Sequence, residues 1–132
     1  MNREEIVTSV CECLALVLDT DGASIRENDK LIDELGADSL DLLDLSFHLQ
    51  QKFNITISPK GLEQRIQKKM EGNPYEVDGV FTPESLEELR KEMPEIPPED
   101  LSEGLRVAEL PRLFRVATMV NIVDRLLREK NN

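Results

Sequence analysis

The stretch whose reading decides the fold is Leu35-Gly36-Ala37-Asp38-Ser39-Leu40-Asp41-Leu42-Leu43-Asp44-Leu45. Its pattern predicts a helix that starts here. Gly36 supplies a turn conformation that other residues avoid. Asp38 or Ser39 is placed to cap the free N–H groups at the helix start. Leu40, Leu43 and Phe47 recur at helical spacing, and so do Leu42, Leu45 and Leu49. Ser39 then falls in the first turn, its hydroxyl near the positive end of the helix dipole. Asp41 and Asp44, three residues apart, share one solvated face.

Upstream, residues Asn2 to Leu18 read as a first helix with Ile6, Val10, Cys13/Leu14 and Val17 as its apolar stripe. Glu4 and Glu5 suit a helix start. Asp19-Thr20-Asp21-Gly22 stops it. The Asp19/Asp21 spacing does not make a calcium loop: Gly22 comes too early, and Lys30 stands where a bidentate Glu belongs. Ala23 to Gly36 is a long connection that Ile25, Leu31, Ile32 and Leu35 should anchor to the core. The helix begun at Ser39 should run to Lys52. It carries the only histidine, His48, which reads as a surface residue one turn beyond Asp44.

Downstream, Gly61 to Glu71 reads as a basic amphipathic helix with Leu62, Ile66 and Met70 at four-residue spacing, broken by Gly72-Asn73-Pro74. Thr82-Pro83-Glu84-Ser85 is a strong helix start, with Thr as cap and Pro at the first helical position. Ser85 stands where a capping box would need Glu or Gln. That helix runs through Leu86 and Leu89 to Met93, and Pro94, Pro97 and Pro98 end it. Pro98-Glu99-Asp100-Leu101 can start another helical turn, and Arg106 to Phe114, which contains Pro111, reads as extended or irregular. Ala117 to Leu127 is a last helix with Thr118 as its cap and Met119, Ile122, Val123 and Leu126 as its inner stripe.

The chain has 132 residues, 39% of them hydrophobic and 33% charged, which bounds it to a single compact domain with a modest core. With no Trp, one Tyr and four Phe, that core must be built from Leu, Val and Ile. The net charge of −11 disfavours nucleic acid and favours basic protein partners. Residues 1–59 concentrate it, with 4 basic and 12 acidic residues. From Leu31 to Phe47 there are five acids and no base. Cys11 and Cys13 point to different sides of a helix, so neither a disulfide nor a zinc site is expected; both read as small helix residues in a reducing, cytoplasmic setting. No apolar run approaches a membrane span, and the N-terminus is not a signal peptide. Ser39 and His48 are nine residues apart on one helix, a rise of about 13 Å, too far for a catalytic pair.

Gly36-x-Asp38-Ser39-Leu40 opening an acidic helix resembles the attachment site of acyl carrier proteins, whose motif serine carries a 4'-phosphopantetheine arm. The longer run strengthens the resemblance. Leu31 and Leu35 precede the serine, Leu40 comes after it, and Leu49 and Phe53 lead into Ile55-Thr56-Ile57-Ser58-Pro59, which is similar to the family's helix end and next loop. Ala117 to Leu127 resembles the family's last helix. The resemblance covers roughly residues 1–60 and 116–130, with an insertion of about 61–115 between them.

The resemblance implies an all-α fold: an acyl-carrier-like four-helix bundle with an inserted helical subdomain, all one carrier domain. It implies that a separate phosphopantetheinyl transferase loads Ser39, and that the arm's thiol holds acyl intermediates as thioesters while the chain itself catalyses nothing. It implies that Asp38, Leu40, Asp41 and Asp44 contact basic patches on acyl-transferring and chain-elongating enzymes, and that the chain is a monomer. Gln50 and Gln51 stand where family members often have acids, a departure from ordinary fatty-acid carriers. With the insertion's apolar residues (Leu62, Ile66, Met70, Val80, Phe81, Leu86, Leu89), this points to a specialised fatty-acid or lipid pathway, with the insertion adjusting the acyl pocket or partner choice. Two other readings stay open: an unmodified helical adaptor whose acidic face binds a basic partner, and an aminoacyl or peptidyl carrier.

Overall fold

The structure, a computed structural model, describes residues 1–131. Helices α1 (Arg3–Leu18), α2 (Ser39–Phe53), α3 (Gly61–Lys69), α4 (Pro83–Glu92) and α5 (Val116–Lys130) carry the fold, with strands β1 (Glu76–Val77) and β2 (Val80–Phe81) between α3 and α4. The described residues are thus mostly helical, as the all-α reading expects. The chain divides into two compact units, Met1–Ile57 with Phe114–Asn132 and Ser58–Leu113.

In the first unit α1 packs on α2 and on α5, and α2 packs on α5. Its core comprises Ile6, Val10, Cys13 and Leu14 from α1, Leu45, Leu49 and Phe53 from α2, Val116, Val120 and Val123 from α5, and Ile25, Leu31 and Ala37 from the α1–α2 connection. Each of the fully covered Leu and Ile side chains contributes about 1.5–3 kcal/mol by leaving water. Of the expected Met119–Ile122–Val123–Leu126 stripe of α5, Val123 is fully buried, and Val116 and Val120 complete the inner face with it. Met119 packs on the core only partly.

Local chemistry fixes the helix ends. Asn2 caps α1 and shares a reciprocal pair of hydrogen bonds with Glu5: the Glu5 N–H donates to the Asn2 side chain at 2.9 Å, and the Asn2 N–H donates to the Glu5 carboxylate at 3.2 Å. Helix α5 starts one residue earlier than the sequence suggests. Its cap position is Arg115, and Thr118 sits at the third helical position, where its hydroxyl accepts from the Arg115 N–H at 2.9 Å. The first N–H groups of α5 are taken by the α1–α2 connection instead. Val116 N–H donates to Asp29 O at 3.0 Å and Ala117 N–H to Glu27 O at 2.8 Å, while Leu31 N–H donates back to Phe114 O at 3.0 Å. A nonlocal carbonyl can replace a side-chain cap, and no sequence pattern announces it.

The second unit buries Ile66, Met70, Tyr75, Phe81, Leu86, Leu89, Met93, Ile96, Leu101 and Leu110. Helix α3 packs on α4. An ion cluster ties the two: Glu92 takes Arg65 at 2.8 Å and Lys69 at 3.0 Å. The hairpin β1–β2 pairs Val77 with Val80 across Asp78-Gly79, both at positive φ (54° and 80°), as a tight two-residue turn requires. Tyr75 and Phe81 meet edge to face, 5.3 Å between centroids. The sequence reading missed this hairpin, whose strands are only two residues long. The stretch 106–114, expected to be extended or irregular, is instead wound: Val107–Leu113 is 3-10 helix with Pro111 inside it. Pro111 has no N–H to donate, so one hydrogen bond of this short helix is missing at that position.

Candidate functional site

Ser39 is the first residue of α2. The chain reaches it through a turn at Gly36, whose φ of +77° lies in the left-handed region. Ala37 N–H donates to Leu31 O at 2.9 Å, and Ala37 is buried, so the residue before the cap is pinned on both counts. Asp38 then adopts extended backbone and caps the helix. The Asp41 N–H donates to Asp38 Oδ1 at 2.8 Å, and the Asp38 N–H donates to Asp41 Oδ2 at 3.0 Å. Both aspartates act as the two halves of a capping box.

This settles which residue caps α2, and the answer frees Ser39. Its side chain is exposed, and its hydroxyl takes no hydrogen-bond partner among the described residues. A serine at a helix start most often serves as the cap; here Asp38 has that position. The Ser39 oxygen therefore lies open to solvent at the positive end of a 15-residue helix.

Around Ser39 the surface has two characters. Asp38 and Asp44 are exposed and Asp41 is half-buried. Asp44 also stands 3.6 Å from His48 one turn on. Between these acids runs an apolar ridge that the sequence pattern did not assign to a face. Leu40, Leu43 and Phe47 are 74%, 53% and 56% exposed. The second leucine series is the inner one: Leu45 and Leu49 are buried, and Leu42 packs partly on the core. Hydrophobicity alone could not separate the two stripes, because both recur at helical spacing; the acids interleaved with Leu40 and Leu43 were the available signal.

The C-terminal half of α2 behaves differently. Gln50 is half-buried. Its amide nitrogen donates to Ser46 O at 3.2 Å, and its oxygen accepts from the Ile57 N–H at 3.2 Å. Gln50 thus fastens the segment just beyond the helix. Gln51 is exposed, and Lys52 lies 3.5 Å from Glu12 of α1. Burial pushes the Cys11 and Cys13 thiols above their usual range, with Glu27 adding to it at Cys11, so neither is an activated nucleophile. Among the described residues no helix is long and apolar enough to cross a membrane.

Comparison with known proteins places residues 8–65 in the family described as "Phosphopantetheine attachment site". The chain is 40% identical over 63 residues to the acyl carrier protein of Thermotoga maritima, covering 48% of this chain and 78% of that protein. It is 39% identical over 64 residues to the acyl carrier protein of Chlamydia caviae, with 48% and 79% covered, and 36% identical over 64 residues to that of an Exiguobacterium species, with 48% and 81% covered.

Proposed function

Because the chain belongs to the acyl carrier protein family, whose prosthetic group is a covalently attached 4'-phosphopantetheine, we propose that Ser39 is the residue that bears it. The observation that carries this reading is the exposed, unengaged Ser39 hydroxyl at the start of α2, next to a cap made by Asp38. A phosphodiester formed there gains from the helix N-terminus, and no helix-capping bond is broken to form it. Activation of the hydroxyl belongs to a transferase, since no described residue takes a hydrogen bond from the Ser39 hydroxyl. When bound, the group supplies a thiol that holds acyl cargo as a thioester.

Asp38, Asp41 and Asp44, with Leu40, form the face offered to that transferase and to acyl-handling enzymes with basic patches. Leu43 and Phe47 extend it. Acids steer the encounter and the apolar ridge supplies the desolvated contact. The C-terminal half of α2 adds no acid: Gln50 is spent on the Ile57 segment and Lys52 lies beside Glu12. A face that is acidic at one end only suits enzymes of one specialised lipid or fatty-acid pathway. Residues 58–113, with ten large side chains buried among themselves, serve partner choice in this reading.

The test is intact mass after incubation with coenzyme A and a broad-specificity phosphopantetheinyl transferase, beside Ser39→Ala. The expected result is a gain of one phosphopantetheine that the variant does not show. No gain, in a tube where another carrier is modified, would favour an unmodified adaptor.

A further inference from the structure

Helix α1 is more apolar than its place in the core requires. Ten of its 16 residues are Ile, Val, Leu, Ala or Cys. Ile6, Val10, Cys13 and Leu14 face the core. Val7, Cys11 and Ala15, spaced four apart, lie on a second face and are only half covered. Together with the turn at Gly22 they line an open cleft of about 690 Å³. Leu16 stands at its edge, 68% exposed. On the other side of Leu16 a second cleft, about 520 Å³, runs to His48 and Lys52 of α2. A helix apolar on two faces is ordinarily covered on both.

The charge around this face says what would cover it. The first cleft is lined by the carboxylates of Glu12 and Asp21 and by no Lys, Arg or His. A second copy of the chain would bring its own net charge of −11 against them. A basic partner meets one such charge, Lys52, which lies 3.5 Å from Glu12 in the adjoining cleft, and gains the Asp21 carboxylate, which has no basic side chain beside it in the first cleft. We infer that this face of α1 is a docking surface for a basic amphipathic segment of a partner protein. Its apolar side chains lie over Val7, Cys11, Ala15 and Leu16, and its Lys or Arg side chains reach Glu12 and Asp21. The surface is separate from the Leu40–Leu43–Phe47 ridge and does not depend on modification of Ser39.

The experiment uses the full, isotope-labelled chain and a synthetic helical peptide of Leu and Lys, about 18 residues long, with a Leu/Glu peptide of the same pattern as control. The expected result is saturable amide shifts at Cys11, Ala15, Leu16 and Gly22 with the basic peptide alone. Leu16→Gln and Glu12→Lys should each weaken binding at those amides by about tenfold or more. Phe47→Ser should leave them unchanged. Leu16 and Glu12 are exposed, so both variants are expected to fold, which the untouched amides of α5 report. Four results would overturn the inference: shifts confined to α2, undiminished binding by Leu16→Gln, equal binding of the Leu/Glu peptide, or the same α1 shifts appearing on concentrating the chain alone, which would make the occupant a second copy.

Discussion

The carboxylates of Asp38 and Asp41 each accept a hydrogen bond from the other's backbone N–H, at 2.8 and 3.0 Å, and so hold the first turn of α2 closed around Ser39. Two like charges are brought together to do this, which the helix N-terminus compensates. Asp38→Ala should cost about 1 kcal/mol, and Asp38→Asn far less, because asparagine caps as well as aspartate. Denaturant unfolding of the two variants measures the difference. Equal losses would show that the charge, not the cap, is what Asp38 contributes to folding.

Gln50 is a second case where a helix side chain secures backbone outside its own helix. Gln50→Ala removes the acceptor of the Ile57 N–H and should destabilise the first unit by about 0.5–1.5 kcal/mol. Amide exchange at Ile57 should quicken, while exchange at Ser39 to Leu42 stays as it is. Gln50→Glu keeps the acceptor and should restore slow exchange at Ile57.

Glu92 gives the second unit a pH dependence. Burial raises the pKa of its carboxyl, but hydrogen bonds from Lys69 and Arg65, with their charges, outweigh that and leave it below the usual value of 4.5. A lowered folded-state pKa contributes stability above the unfolded value that is lost as pH falls through the folded one. The second unit should therefore loosen below about pH 4.5, and Glu92→Gln should lose about 1–3 kcal/mol at neutral pH together with that dependence. Tyr75 is the only tyrosine, there is no tryptophan, and Tyr75 is buried in this unit, so its fluorescence reports the transition alone.

Phe47 and Leu49 are two residues apart and should behave as opposites. Leu49 is fully buried, and Leu49→Ala should cost about 2–5 kcal/mol and speed labelling of the buried Cys13. Phe47→Ser should leave stability within about 0.5 kcal/mol of the parent. Its effect should fall on the rate of phosphopantetheine transfer by the enzyme, through a raised KM.

The helices were legible because their signals are local. Asn2, Thr82 and the Gly36–Asp38 run each mark a start within a few residues, and α1, α2 and α4 grow from them with ends off by a residue or so. The start of α5 was misplaced because its N–H groups are taken by Glu27 and Asp29, nearly ninety residues earlier. The β1–β2 hairpin escaped because two-residue strands have no period to detect, although Asp78-Gly79 was a usable signal. At the candidate site, the start of α2 at Ser39 and the acids of its first turns were readable from one stretch. The outward turn of Leu40, Leu43 and Phe47 was not, because a helix with two leucine stripes declares its inner face only when its neighbours are in place.

The main-chain pairing of Leu31 with Phe114, and of Asp29 and Glu27 with the start of α5, has an evolutionary corollary. Every amino acid has a carbonyl and, proline apart, an N–H, so these fastenings survive almost any drift in the residues that make them. Re-entry of the polypeptide at Phe114 is thus insulated from whatever precedes it. A lineage could lengthen, shorten or exchange residues 58–113 wholesale while α5 kept its address. Such a graft-tolerant seam is where a small ancestral carrier could acquire a new appendage without renegotiating its core.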